Sequence, residues 1–269
     1  MTHHAPRREL VGLVPAAGRA SRLGEITSSK EILPLPGEDG GPSRPACHDL
    51  LATFARAGVA RAFVLLREGK WDIPGRLGDG AEHGLHLAYR VLSPTPGVPF
   101  TLAAGFPFVQ GADVALGFPD ILLHPHDLLL RLRAHHDAGE ADCSLALVPC
   151  DRPWASDLVA TDATGRVTRL AIKPRDARSG VTWALAIWSP RFTDFFADFV
   201  DSHRQRPELD DGREIHVGDV FNAAIDRGLH VGFVECDDGR MLDLGTPESL
   251  RRASEGGWTR NLDPQSPRR

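Results

Sequence analysis

Short apolar runs alternate with amphipathic helical stretches along most of this chain, and no other feature restricts its possible folds more. Strand-like runs fall at 10–15 (LVGLVP), 60–66, 86–91, 143–148, 166–172, 181–188 and 229–235, with a broken apolar run at 113–123. Helices are expected at 45–58, 125–138, 191–200, 218–227 and 247–255. In the first of these, Cys47, Leu50, Leu51 and Phe54 recur at helical spacing, and Gly58 suits the residue that ends it. In the last, Thr246 is a favoured N-cap and Pro247 fits the first helical position. Strands alternating with helices favour an α/β layer fold with a largely parallel sheet.

Composition narrows the function. The 269 residues carry 31 Lys and Arg against 36 Asp and Glu, a formal charge of -5. A nucleic-acid-binding chain needs a basic face, so nucleic acid is not an expected partner. No apolar run approaches the 18 or so residues of a membrane span, so no membrane partner is expected either. The first ten residues, MTHHAPRREL, contain no apolar signal core. Cys47, Cys143, Cys150 and Cys236 form no CxxC pair and are read as reduced, mostly buried thiols of a cytoplasmic protein. We expect one domain over 9–255, loose ends at 1–8 and 256–269, and a surface loop at 36–44.

The first strand runs into AAGRASRL (16–23) and then SSKEILPL (28–35). Small residues after a strand let backbone approach a ligand closely and leave amides free for anions. Arg22 and Lys30 add two cations, a combination suited to a triphosphate. The plainer alternative, an ordinary strand-to-helix turn with two solvated cations, is equally compatible with the spacing alone.

The remaining motifs change that balance. With AAGRASRL and SSKEILPL, the chain carries LGDGAEHGLHLAYRV (77–91), GFPD (117–120), AIKP (171–174) and MLDLGTPESL (241–250), in that order. Together they resemble the sugar-1-phosphate nucleotidylyltransferases, most closely the glucose-1-phosphate thymidylyltransferase branch, over roughly 10–253. The resemblance implies a three-layer α/β/α Rossmann-like nucleotidyltransferase domain with a mixed, mostly parallel sheet. Residues 9–123 would form the nucleotide-binding half and 124–255 the acceptor-binding half. It also implies a reaction: a phosphate oxygen of a sugar 1-phosphate attacks the α-phosphorus of a nucleoside triphosphate, and pyrophosphate leaves. Such chemistry is mostly positioning and charge stabilisation.

By the resemblance, Arg22 holds the leaving pyrophosphate, Lys30 lies beside the α-phosphate and Lys173 holds the acceptor's phosphate. Asp120 and Asp243 bind Mg²⁺, an ion that takes one or two carboxylates and keeps several waters. Taken singly, Asp120 also reads as a turn residue after Pro119, and Asp243 as a cap before the helix at 247. Ala16, Ala17, Gly18 and Gly97 are the further nucleotide-binding positions. The resemblance also admits a homo-oligomer.

The match fails where the base and the sugar are read. The family's base-reading Gln falls on Leu92, which supplies no side-chain hydrogen bond. Its Glu before the Lys of AIKP is Ile172, and two glycines beside the sugar become Asp157 and Trp183. Asp157 and Trp183 are therefore candidate acceptor-binding residues, and Trp183 would fill the space of a hexose ring or stack on one. Trp183 and Trp188 also read simply as core aromatics on a strand. The changes argue against plain glucose 1-phosphate and suit another sugar or cyclitol phosphate. A catalytically inactive nucleotide- or sugar-phosphate-binding regulatory homologue is the second hypothesis. His216 and Asp219 precede a helix in a stretch that resembles the family's Glu-Ile-Thr-Asp segment, and no role is assigned to either. His124, His126, His135 and His136 lack further ligands for a zinc site.

Overall fold

The computed structural model describes residues 7–19, 23–24, 28–37, 41–205, 213–255 and 258. In chain order the elements begin with β1 (Leu10–Pro15), β2 (Pro34–Leu35), β3 (Arg44–Pro45), α1 (His48–Arg56), β4 (Arg61–Arg67), α2 (Asp72–Leu77) and β5 (His86–Leu92). Next come α3 (Val98–Ala103), β6 (Asp113–Leu116), β7 (Ile121–His124), α4 (Leu128–Ala138), β8 (Cys143–Pro149), β9 (Leu158–Thr161) and β10 (Val167–Ala171). The last are β11 (Val181–Trp188), α5 (Pro190–Gln205), α6 (Val217–Asp226), β12 (Val231–Glu235), β13 (Arg240–Asp243) and α7 (Pro247–Ser254).

β1 lies at the middle of the sheet because both its faces are apolar. Val11 and Leu13 enter one buried cluster, and Leu10 and Val14 enter another on the opposite face. The main sheet runs β10-β9-β11-β6-β1-β4-β5, with β8 pairing β11 and β12. It is parallel from β6 through β1 and β4 to β5, and antiparallel around β11. Phe100, Phe192, Phe196 and Phe221 of α3, α5 and α6 cover one face. Leu50, Phe54, Ile73, Leu129 and Leu132 of α1, α2 and α4 cover the other. These are the three layers and the mixed sheet expected. The connections return β1, β4 and β5 in parallel, so their C-terminal ends open along one edge, where ligands bind in open α/β sheets.

β11 carries a bulge between Trp183 and Leu185. Ala184 and Leu185 both enter the cluster under α1 and α4, and Trp183 is thereby returned to the face of Phe118 and Phe221. Strict alternation would aim the indole at the other layer. A small separate ladder pairs β7 with β13 and sets Asp243 opposite Ile121. The broken run at 113–123 thus splits into β6 and β7, with Pro119 and Asp120 between them. Of the expected loose ends, Arg7 pairs with Asp137 and Arg8 lies 3.6 Å from Asp113. Trp258 packs on the cluster around Leu242 and Leu244; the rest of both ends lies outside the described residues. Residues 41–43 of the expected surface loop are exposed, and 38–40 lie outside the described residues. No helix among the described residues is long and apolar enough to cross a membrane.

Candidate active site

The motif residues converge on two adjoining cavities. The first, about 330 Å³, is walled by Ala17, Gly18 and Arg19 after β1, Arg67 at the end of β4, and residues 93–98 after β5, with Lys30 and Asp120 across from them. The second, about 250 Å³, is walled by Asp157, Lys173, Thr182, Trp183, His216 and Asp243. Val98, Phe118, Asp120 and Glu214 belong to both, so the cavities share a wall that carries two carboxylates.

Asp120 and Asp243 are brought together by backbone. Asp120 directly precedes β7 and Asp243 ends β13, and the Leu244 N–H donates to the Asp120 carbonyl at 2.9 Å. The Gly245 N–H holds one Asp243 carboxylate oxygen at 2.7 Å. Lys30 donates to Asp120 in a largely buried ion pair. Burial alone would lower the Lys30 pKa; the attraction and hydrogen bond of Asp120, with smaller pulls from Glu31 and Asp243, hold it above its ordinary value. Lys30 is therefore a firmly charged cation at the junction.

The turn that carries Lys30 is tied down from outside. Its neighbour Glu31 accepts from Lys70 at 2.6 Å, with both side chains almost fully buried. Burial raises the Glu31 pKa and lowers that of Lys70, each against the pull of its partner. The Ser29 N–H and hydroxyl donate to Asp72 at the start of α2 at 2.7 and 2.8 Å. Two side chains of the 70–72 segment thus fix residues 29–31.

In the second cavity, Lys173 holds a left-handed backbone conformation with φ at 43°. Its Nζ lies 3.4 Å from Nε2 of His216. Asp157 lies beneath them, and burial raises its carboxyl pKa against the lowering pull of His216 and Lys173. One of its oxygens is buried with no hydrogen-bond partner. Trp183 forms the cavity floor, wedged between Phe118 at 5.7 Å and Phe221 at 5.2 Å. It is a core aromatic, as one sequence reading has it, and it also lines the cavity. Trp188 is wholly buried and donates to the Thr193 hydroxyl at 3.0 Å. Asp219 accepts from the N–H of His216, the N-cap of α6, at 2.8 Å and pairs with Arg213, which makes it the helix-side partner of a capping box.

Ala17, Gly18, Gly97, Lys30 and Asp120 line the first cavity, and Asp157, Lys173, Trp183 and Asp243 line the second. Ala16 is buried behind the loop, its N–H bonded to the Leu65 carbonyl at 2.9 Å. Leu92, aligned with a base-reading position, instead packs into the apolar core and lines neither cavity, because it is still the last residue of β5. Arg22 lies outside the described residues. Sequence reasoning missed Arg67, Glu31 and Glu214. For Arg67 a signal existed, since it ends a buried parallel strand. Glu31 had none, because its partner Lys70 is distant in sequence and lies in a loop.

A mixed α/β/α sheet whose parallel strand ends face an anion-ready loop defines a nucleotide-binding α/β protein. No protein-family model matches the chain. It is 30% identical over 257 residues to the glucose-1-phosphate thymidylyltransferase of an Actinoplanes species, spanning 91% of this chain and 79% of that one. It is 26% identical over 249 residues to the glucose-1-phosphate thymidylyltransferase of Xanthomonas campestris, spanning 90% and 79%. Its fold matches a Bacillus anthracis crystal structure, a candidate glucose-1-phosphate thymidylyltransferase, with a TM-score of 0.76 over 94% of this chain and 96% of that one at 19% identity. The chain belongs to the sugar-1-phosphate nucleotidylyltransferase family.

Proposed function

We propose that this protein joins a nucleoside triphosphate to a sugar 1-phosphate, or a closely similar phosphate, to give a nucleoside-diphosphate sugar and pyrophosphate. The observation that carries the reading is the shared wall: two cavities meet at Asp120, with Lys30 held on it and Asp243 beside it. A transfer between two phosphorylated substrates needs this arrangement, because both must bring their phosphates to one point.

The triphosphate would enter the first cavity, its phosphates toward the 16–19 loop, and by the family resemblance Arg22 would hold the leaving pyrophosphate. Lys30 would supply positive charge where the new bond forms. Lys173, with His216 beside it, would hold the phosphate of the acceptor, and Asp157 and Trp183 would shape the seat for its ring. Asp120 and Asp243 fit Mg²⁺, since two carboxylates opening onto a phosphate site leave the ion's other positions to water and phosphate. When bound, that ion supplies further neutralisation of the crowded phosphates. The residues of the chain then position the two substrates and stabilise charge, which is most of what phosphoryl-type transfer asks of a protein. The four unpaired cysteines support a reducing, cytoplasmic setting.

The test is pyrophosphate release with Mg²⁺ across the common nucleoside triphosphates, each with a panel of sugar 1-phosphates. Release that needs both partners is the expected result. Tight triphosphate binding without release for any acceptor, glucose 1-phosphate and cyclitol phosphates included, would favour the non-catalytic homologue.

A further inference from the structure

The nucleotide cavity holds a strong hydrogen-bonding group at the end of β4 that the proposed reaction does not use. Arg67 ends β4 directly opposite Leu92 of β5, so its side chain stands beside the 93–97 segment that forms the neighbouring wall. It is half-buried, and no carboxylate pairs with it among the described residues. Nη1 donates to the Glu68 carbonyl at 3.1 Å, and Nε is buried with no hydrogen-bond partner. A guanidinium bound at only one corner, on the wall of a ligand cavity, is a fork with donors to spare.

The rest of that wall offers little to a base. The whole chain contains only five carboxamides, and of these Gln110, Gln205 and Asn222, the three among the described residues, do not line the cavity. Asn222 is spent on the Leu170 backbone, and Leu92 faces the core. The hydroxyls of Thr95 and Thr101 bond each other at 2.6 Å. With Arg19 on the loop after β1 that would face the phosphates and Glu214 on the wall shared with the second cavity, side-chain reading of a base falls, among the described residues, chiefly to Arg67.

We infer that Arg67 is the base-specificity residue of this site and selects a nucleoside triphosphate whose base presents two adjacent hydrogen-bond acceptors. Guanine does so through O6 and N7, the commonest specific partner of arginine, and cytosine does so through O2 and N3. Uracil, thymine and adenine have a donor beside each acceptor they present to a fork, so one arm of the guanidinium would face an N–H. The inference rests on the nucleotide reading of the first cavity and adds the class of base.

The experiment is calorimetric titration of the full chain with GTP, CTP, UTP, dTTP, ATP and inorganic tripolyphosphate, with Mg²⁺, for the native protein and for Arg67→Met and Arg67→Lys. The expected result is that GTP or CTP binds about tenfold to a hundredfold tighter than the other three nucleotides, the discrimination of one bidentate pair. Which of the two binds tighter identifies the base. Both variants should lose that preference while binding UTP, dTTP and ATP within about threefold of the native protein. Arg67→Lys keeps the charge and loses the fork, so it separates base reading from phosphate attraction and serves if Arg67→Met does not fold. Preference for UTP, dTTP or ATP in the native protein would overturn the inference. So would a loss of affinity equal for every nucleotide and for tripolyphosphate, which would make Arg67 a phosphate ligand. In both cases the nucleotide site would stand. Absence of binding by every nucleotide and by tripolyphosphate would overturn the reading of the cavity itself.

Discussion

Lys173 holds a backbone conformation that costs a residue with a side chain about 1 kcal/mol, and it does so at the mouth of the acceptor cavity. Glycine adopts that conformation freely. Lys173→Gly should therefore be more stable than Lys173→Ala by about 1 kcal/mol in chemical denaturation, while both raise the KM for the acceptor far more than that for the triphosphate. Asp157 shows the same tension between stability and use. Its folded carboxyl ionises at higher pH than the unfolded one, because burial opposes its charge, so stability falls as the pH rises through that interval. Asp157→Asn should gain in stability relative to the native protein on going from pH 4 to pH 7, and should weaken acceptor binding. Denaturant midpoints at the two pH values check the first part. At this scale the sequence was legible where a motif names a residue type, as with Lys30, Lys173 and the two aspartates. It was not legible where a partner is supplied by the fold, as with Glu31 and Lys70.

The elements matter here for what they aim. The bulge in β11 turns Trp183 toward the acceptor cavity, the β7–β13 ladder sets the two aspartates side by side, and the segment before α2 clamps the turn of Lys30. Breaking that clamp at Lys70 leaves Glu31 buried without its cation. Lys70→Met should cost about 3–5 kcal/mol, and the double variant with Glu31→Gln should recover most of it, a non-additivity that thermal melts will show. His136 of α4 gives the fold its own acid sensitivity. It is buried against the Ser144 hydroxyl at 2.9 Å, and burial lowers its pKa to about 4. The unfolded imidazole takes up its proton near pH 6.5 and the folded one only near 4, so up to about 3 kcal/mol of stability should be lost across that window. His136→Asn should flatten this part of the stability profile. Strong periodicity made β1, α1, β8 and α5 readable. α2, α3, β9 and β13 are too short to show a period, and α3 hides in the Pro- and Gly-rich stretch that also reads as a turn. A bulge leaves no mark in a sequence, so the direction of Trp183 could not be read from alternation.

The whole molecule is two ligand seats built on one sheet. The parallel strands from β6 to β5 end at the nucleotide cavity, and the strands around β11, with β13 and the start of α6, enclose the acceptor cavity. The layer order and the chain order of the motifs were legible because alternation and motif succession survive drift in the individual residues. The meeting point was not, since Asp120 and Asp243 are far apart in sequence and only the topology joins them. The junction also shows where the chain keeps the family's motif residues and where it departs from them. Lys30 and the two aspartates meet at the shared wall, whereas Trp183 lines the second cavity and Leu92 and Ile172 pack on the apolar core.

The most direct test of the shared wall compares the native protein with Asp120→Asn, measuring pyrophosphate release and, separately, binding of triphosphate and of sugar phosphate. Asn keeps the shape of the side chain and removes its charge. The expected result is a fall in turnover of about a thousandfold or more, with each substrate still bound within about tenfold. Turnover that survives the substitution would contradict the account, because the Asp120 carboxylate, held by Lys30 where the cavities meet, would then take no part in joining their contents.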